Sequence, residues 1–336
     1  MALTPRERVI RTLRFKGVDR PARDVWTLPA AFFGREAALQ ALLDQYPSDF
    51  GPSGYVDPVD ESPLYRPGEW TDPWGSLWHN IQPGMIGEVK RPALDDWREL
   101  DQWQPPWHLL GRGFEHVNAT CAASDRFIHL GNPRPFERLQ FVRGTENAYM
   151  DLAWGVPEVF RLLEMIHDYY LQHLEHVVRT DVDAVSFMDD WGSTHALLIS
   201  PEMWVTYFKP LYRDYVALAH AHGKLALMHS DGYIMPIYEH LIEIGVDAIN
   251  SQLFTMPLEQ IGERFKGRIT FWGEMDRQGI LPFGTPEDVR AAVERVRDVL
   301  WEPRGGVIGQ AEFNQGMPLE NIRAFFEAWW GPPETI

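Results

Sequence analysis

One cysteine, Cys121, stands in 336 residues, so an intrachain disulfide is excluded and stability must come from packing. The chain lacks any uninterrupted apolar run near the ~18–20 residues that a membrane-spanning helix needs. Its opening, MALTPRERVIRTLRFKG, is charged and has no apolar core of the secretory kind. With the lone thiol, these absences give the expectation of a cytoplasmic protein that meets no membrane. Basic residues are also scarce: 31 Lys and Arg face 48 Asp and Glu, for a formal charge of −17. That balance excludes broad nucleic-acid binding, although a local arginine can still serve a small anionic ligand. No GxGxxG or GxxxxGK(S/T) loop occurs, so the usual phosphate cradles of open nucleotide-binding sheets are missing.

What is present suits a large packed core. The chain is 45% hydrophobic, which fits one large domain, taken here as residues 1–336. Fourteen tryptophans and 26 prolines cluster in stretches such as WTDPWGSLWHNI and DQWQPPWHLL, read as rigid packed loops. The second half repeats a unit. SPEMWVTYFKPLYRDYVALAHAHG reads as a helix with Ser200 as N-cap, Pro201 at the first turn and Gly223 just past the end. KLALMHSDG follows as a short apolar run. YIMPIYEHLIEIG is helical and closes at Gly245, and VDAINSQ is the next run. LEQIGERFKG, then RITFWGEMD, repeat the pair. TPEDVRAAVERVRDVL is helical, with Thr285 as N-cap and Asp288 three residues on. GGVIGQAEF and PLENIRAFFEAWW complete the series. Runs alternating with glycine-ended helices indicate βα units and a parallel sheet.

In the first half, DVWTL, RFIHLG and a very short PSDFG read as strands, and DAVSFMDDWG as another. Leu162, Leu163, Ile166, Tyr170, Leu174 and Val177 form one face of a long helix. WGSLWHNIQPGMIGEVKRP reads as a hairpin turning at Pro83-Gly84, and RERVIRTLRFKGVDR as a solvated amphipathic helix. About eight strands alternate with helices, which predicts a (β/α)8 TIM barrel with an N-terminal helical and hairpin extension. A doubly wound open sheet is the alternative.

In a barrel, chemistry sits where the strands run out. There the sequence places Asp189 and Asp190, His229 and Asp231, Asn250 and Gln252, Glu274 and Asp276, and Gln310 and Glu312. His229 and Asp231 are two apart on one strand, so both side chains leave on the same side. That pair suits a divalent metal, proton transfer or a structural hydrogen bond, and the residues leave the three open. His173 and His176 read as surface residues of the long helix, and His220 and His222 as partners of a helix C-terminus. Cys121 reads as a buried inert thiol.

TPRERVIRTLRFKGVDRPARDVW resembles the opening of the uroporphyrinogen decarboxylase superfamily. So do DPWGSLWHNIQPGMIGEVKRPALDDWREL, MDDWGSTHALLISPEMWVTYFKPLYRDYVALAHAHGKLALMHSDGYI, and RITFWGEMDRQGILPFGTPEDVRAAVERV with the closing GGVIGQAEFNQGMPLENIRAFFEA. The resemblance runs in order along nearly the whole chain and implies one barrel with a cleft at its C-terminal face. The superfamily divides between cofactor-free decarboxylases and zinc-dependent methyltransferases that work with corrinoid proteins. The decarboxylases carry a Met-Arg-Gln-Ala-Gly-Arg segment, and here VWTLPAAFFGRE keeps only Arg35 of it. The methyltransferases carry His-x-Cys-Gly where this chain has His229 and Gly232, with Asp231 in the cysteine's place. Glu312 stands near their second cysteine, and Glu274 where relatives have a small residue.

The resemblance therefore implies a methyltransferase moving a methyl group between a small donor, such as a methyl ether, and a corrinoid protein. Zn²⁺ or another divalent metal would sit on His229, Asp231, Glu274 and Glu312. Asp190, His229 and Asp231 would be catalytic, with Asp190 orienting or protonating the leaving group. Arg35, Trp191, Met228, Phe254 and Trp272 would contact substrate at the barrel mouth. A cofactor-free decarboxylase, with Arg35 or Arg134 holding a carboxylate, is the second reading. A non-catalytic barrel that binds a tetrapyrrole or corrinoid is the third. A homodimer is expected by analogy.

Overall fold

The computed structural model describes residues 3–331. Residues 1, 2 and 332–336 of the expected single domain lie outside the described residues. The backbone runs through β1 (Ala22–Thr27), then β2 (Gly68–Thr71), β3 (Leu77–Asn80) and β4 (Glu88–Arg91). It continues through β5 (His129–Gly131), β6 (Ala184–Met188), β7 (Leu225–Ser230), β8 (Ala248–Ser251), β9 (Thr270–Trp272) and β10 (Val307–Phe313). Seven of these form one parallel sheet in the order β1-β10-β9-β8-β7-β6-β5, and β2-β3-β4 form a separate antiparallel sheet.

The eighth barrel position is filled by the PSDFG segment, reduced to one bridge between Phe50 and Phe127. The Asp49 amide donates to the Arg23 carbonyl at 2.9 Å, and the Gly51 amide to the Phe127 carbonyl at 2.9 Å. This short piece therefore bonds both edges of the curled sheet and closes a TIM-like barrel, as expected. The open-sheet alternative is set aside by that closure.

Local chemistry explains the elements. Helix Pro286–Leu300 begins with the expected reciprocal cap, Thr285 and Asp288 satisfying each other's backbone amides. Ser200 caps Pro201–Met203, and the helix then widens into a π turn over Trp204–Phe208 before running on to Ala221. The sequence showed no sign of that widening. Every predicted apolar position of helix Pro157–Val177 is buried. The hairpin forms as β3 and β4, with the turn spanning 81–87 and a third strand, β2, added outside.

Two apolar bodies result. Outward strand residues such as Val185, Phe187, Ala226, Met228 and Ile249 pack against the helices. Inward residues Ala22, Phe127, Ala184, Leu225, Leu227, Ala248, Trp272 and Ile308 fill the barrel. The N-terminal helix Pro5–Leu13 is less solvated than its charge suggested, because Val9 and Leu13 plug the barrel floor. Burying each such side chain stabilises by about 1.5–3 kcal/mol, enough to fix the helix there. No helix among the described residues is long and apolar enough to cross a membrane.

Candidate active site at the barrel mouth

Strand parity builds the site. His229 shares its side of β7 with Leu225 and Leu227, which lie in the barrel interior, so its ring also points inward. Asn250 takes the same parity on β8, directly paired with His229 in register. The Asn250 side-chain NH2 donates to the Trp272 carbonyl at 2.6 Å, which turns its amide oxygen toward Nδ1 of His229 at 2.7 Å. Nδ1 must therefore carry the hydrogen, and Nε2 faces the other way.

Nε2 meets two carboxylates. Asp190 Oδ1 lies 3.6 Å away and Asp231 Oδ1 3.5 Å away. Asp190 is placed by alternation at the end of β6. Its neighbour Asp189 turns outward and accepts the amides of Phe136 and Glu137 at 2.9 and 2.8 Å, with the Tyr212 hydroxyl at 2.5 Å. Asp190, facing in, accepts the Asp231 amide at 3.0 Å. Beyond the strands the two loops stay zipped: the Gly192 amide reaches the Asp231 carbonyl and the Tyr233 amide the Ser193 carbonyl. Gly232 has φ +78°, and a Cβ there would overlap the Gly192 backbone. The HSDG tetrapeptide thus ends in glycine so that two loops can touch.

Charge completes the picture. Burial opposes a charged imidazole, but Asp190 and Asp231 outweigh it and hold His229 up at about 10. Burial likewise tends to raise Asp190, yet His229 and the Asp231 amide carry it below the usual carboxylate range. Asp190 and His229 therefore form an ion pair when no other cation is present. The Trp26 ring lies 5.3 Å from the His229 ring and covers one side.

The four residues expected to share a metal divide into two groups. Asp190, His229 and Asp231 offer ligand atoms within 4.8 Å of one another. Glu274 and Glu312 gather instead around Arg277, whose guanidinium lies 3.5 Å from Glu274 and 2.5 Å from Glu312 and also bonds Asp231 Oδ2. Burial pushes Glu274 up to about 8, against the pull of Arg277. Arg277 carried no expectation from the sequence, where it is one arginine in a polar loop. So dense a set of carboxylates needs an internal cation, and that is the signal that points to it.

The residues fit a divalent ion. A tetrahedral site with bonds of about 2.0–2.1 Å has ligand atoms about 3.3 Å apart, close to the two His229 contacts. Asp231 Oδ1 is buried with no hydrogen-bond partner, aimed at that space while Arg277 takes its other oxygen.

The expected substrate contacts fare unevenly. Arg35 spends its guanidinium on the carbonyls of Ala31, Asn314 and Met317, tying two loops together. Trp191 is fully buried, stacked on Phe136 and bonded to the Tyr212 hydroxyl. Met228 has outward parity and belongs to the helix-side core. Trp272 fills the barrel beneath the site, stacked on Phe50. These four are corrected from mouth-lining to packing roles: Arg35 is spent on loop carbonyls, Trp191 is buried, Met228 has outward parity, and Trp272 points inward but lies below the mouth. Phe254 does line an open pocket, beside Arg277.

Two further groups approach the site from helix Pro135–Arg143. Glu137 is raised by burial despite Arg134, and its surroundings include Asp190 and His229. Arg134 lines a cleft beyond it, with the hairpin on the far wall. His173, expected at the surface, lines the same cleft and is drawn down to about 4 by burial. His176 is half-buried against Phe114. Cys121 is buried and its thiol raised, as an inert residue should be.

The family model described as uroporphyrinogen decarboxylase (URO-D) matches residues 135–330, more than half of the chain. No curated protein matches by sequence. Among solved structures, a methyltransferase from Methanosarcina mazei aligns over 97% of this chain and 98% of its own, with a TM-score of 0.72 at 14% identity. A B12-independent methionine synthase from a Shewanella species, in complex with selenomethionine, aligns over 90% of this chain and 86% of its own, with a TM-score of 0.46 at 9% identity. The first shares the fold.

Proposed function

The chain belongs to the uroporphyrinogen decarboxylase family, and from that membership we propose that it is a metal-dependent methyltransferase. It would move a methyl group from a small methyl-ether-type donor to a corrinoid protein. The observation that carries this reading is the Asp190–His229–Asp231 group at the strand ends, with one buried carboxylate oxygen that faces the imidazole and accepts no hydrogen bond. The name of the Methanosarcina structure agrees with it.

A divalent ion held by these three residues would act as a Lewis acid on the donor's oxygen. The chain's own residues do the rest. Asn250 keeps the hydrogen on Nδ1, so that Nε2 presents its lone pair to the ligand space. Arg277 neutralises the second oxygen of Asp231 and the Glu312 carboxylate, limiting the negative charge the site accumulates. Trp26 keeps water from one side of the ring. Asp190, held ionised, suits orientation rather than proton delivery. Glu137, raised by burial and close enough for Asp190 and His229 to act on its charge, suits the delivery of a proton to the departing oxygen.

The proton on His229 occupies the place of the cation, so metal uptake must expel it. Calorimetric titration of the full chain with Zn²⁺ at pH 8 in buffers of different ionisation enthalpy is expected to show one ion bound and about one proton released. His229→Ala should abolish both. A wild-type protein that takes up no divalent ion, or a variant that takes it up unchanged, would refute the site. Methylation of free cob(I)alamin from an aryl methyl ether, read by its visible spectrum, tests the reaction. Transfer by metal-stripped protein would remove the metal from it.

A second reading has its own support. The imidazolium held between Asp190 and Asp231 stays charged through neutral pH, so it would stabilise the anion left when CO2 departs, as a cofactor-free decarboxylase needs. Release of labelled CO2 from a carboxylated substrate without added metal would favour it over methyl transfer.

A further inference from the structure

The cleft between the barrel mouth and the hairpin sheet has no role in the chemistry above. It encloses about 190 Å³, below the roughly 300 Å³ at which pockets for drug-sized molecules begin. Its walls carry Tyr65 and Trp70 on the hairpin side, and Trp74, Tyr169 and Tyr170 toward the long helix. Two arginines enter it, and they differ. Arg138 is paired with Asp72 at 3.0 Å and lies over the Trp74 ring at 4.6 Å. Arg134 has no carboxylate within ion-pair distance among the described residues. Its guanidinium touches the Met188 sulfur at 3.0 Å and otherwise faces the cleft.

Arg134 is half-buried and feels the charges of Glu137, Glu61 and Asp189, but with none of them at ion-pair distance its cleft-facing N–H groups remain free to take an anionic ligand. Asp57 and Glu61 also line the cleft, but both are exposed at its lip, where water screens them. Arg134 sits inside, next to the catalytic group. Its contact, Met188, is the strand neighbour that pairs in register with His229, so the cleft adjoins the strand ends of the site. Rings fill space between aromatic walls well, and an arginine favours an oxygen anion in their plane.

We propose that this cleft is the substrate site and that it selects a single aromatic ring bearing an anionic oxygen, phenolate or carboxylate, which pairs with Arg134. This rests on the methyl-transfer reading for its chemistry: when the methyl group leaves an aryl ether the C–O electron pair stays on oxygen, and Arg134 would share that phenolate charge until Glu137 protonates it. The site itself requires no metal and no acceptor protein to be filled.

Binding therefore tests it separately from turnover. The full chain is titrated with 4-nitrophenol, whose ionised form has its own visible band, and with benzoate beside its neutral counterpart benzamide, followed by tryptophan fluorescence. The wild type should prefer the anion by roughly ten- to hundred-fold, the usual worth of a charge-assisted bond. Arg134→Gln should erase the preference and Arg134→Lys should keep part of it. Trp70→Ala should weaken anion and neutral probe alike. If nitrophenol responds and benzoate does not, the anion is a phenolate; the reverse makes it a carboxylate. Equal binding of charged and neutral probes, no binding, or a preference that survives Arg134→Gln overturns the proposal. Anion preference in a protein that transfers no methyl group would leave the cleft assignment standing and remove the reaction. Methyl transfer without anion preference would do the opposite.

Discussion

Two histidines inside the same barrel show how neighbours decide a residue's chemistry. His229 has two carboxylates at its free nitrogen and is held charged up to about 10. His129, on β5, has the Ser186 hydroxyl at 2.9 Å and the Phe50 and Trp272 rings around it. Burial alone acts on it and draws it down to about 4 from 6.5. Its folded form therefore stays neutral where the unfolded chain already binds a proton. Stability must fall as pH drops from about 6.5 to 4 and level off below that, by about 3 kcal/mol for this group. His129→Phe, which keeps the ring in its aromatic setting, should flatten that acid limb relative to wild type in urea titrations across pH 4–7. An unchanged limb would mean that His129 is not neutral in the folded protein. In RFIHLG the histidine stands within the apolar run, whereas in LMHSDG a carboxylate follows it two residues on. The sequence shows that much, but not the Asp190 and Asn250 or the Phe50 and Trp272 that other segments bring to the two rings.

At the scale of the element, the site depends on how two strand-end loops meet. Asp190 and Asp231 converge because the loops after β6 and β7 continue the ladder past the strands, glycine against glycine. Gly232→Ala forces a side chain into a left-handed conformation and against the Gly192 backbone. It should cost more than about 2 kcal/mol and abolish divalent-ion uptake, read by denaturation and by titration. Uptake at wild-type affinity would show that the contact is dispensable. The glycine after Asp231 is visible in the sequence, and so are the caps at Ser200 and Thr285, because caps and turns are local. The partner glycine, 40 residues earlier, is not marked by anything nearby. The π turn at Trp204–Phe208 and the plugging of the barrel by the N-terminal helix were equally silent, since packing against distant strands sets both.

For the whole molecule, the weakest point is the seam where the barrel closes. Residues 49–51 supply a single bridge there, and Asp49 reinforces it from within. Its buried carboxylate accepts Arg8 at 2.9 Å, Arg20 at 2.7 and 2.8 Å, and the Arg23 amide at 2.9 Å. Those arginines come from the floor helix and the start of β1, so one carboxylate joins the plug, the first strand and the seam. Asp49→Ala leaves Arg20 without its carboxylate and Arg8 with Asp19 alone, and should destabilise by about 3 kcal/mol, seen as a lower urea midpoint. A loss below 1 kcal/mol would mean that the seam is held by other contacts. The sequence reading marked PSDFG only as a very short strand. Its aspartate gained meaning from arginines that lie 29 and 41 positions away.

The alternation of apolar runs with capped, glycine-ended helices was enough to determine a parallel sheet of βα units, with a barrel as the expectation, and the strand ends where acids and one imidazole collect. These features have periods of two and 3.6 residues and are written locally. Which acids share the imidazole was decided in three dimensions. Arg277 draws Glu274 and Glu312 away, Asn250 turns the ring, and Asp190 enters from the next strand, while Trp191, Met228 and Trp272 turn into the core. Those choices follow from strand parity combined with long-range charge balance, and charge balance among side chains from five different strands has no signature in sequence order.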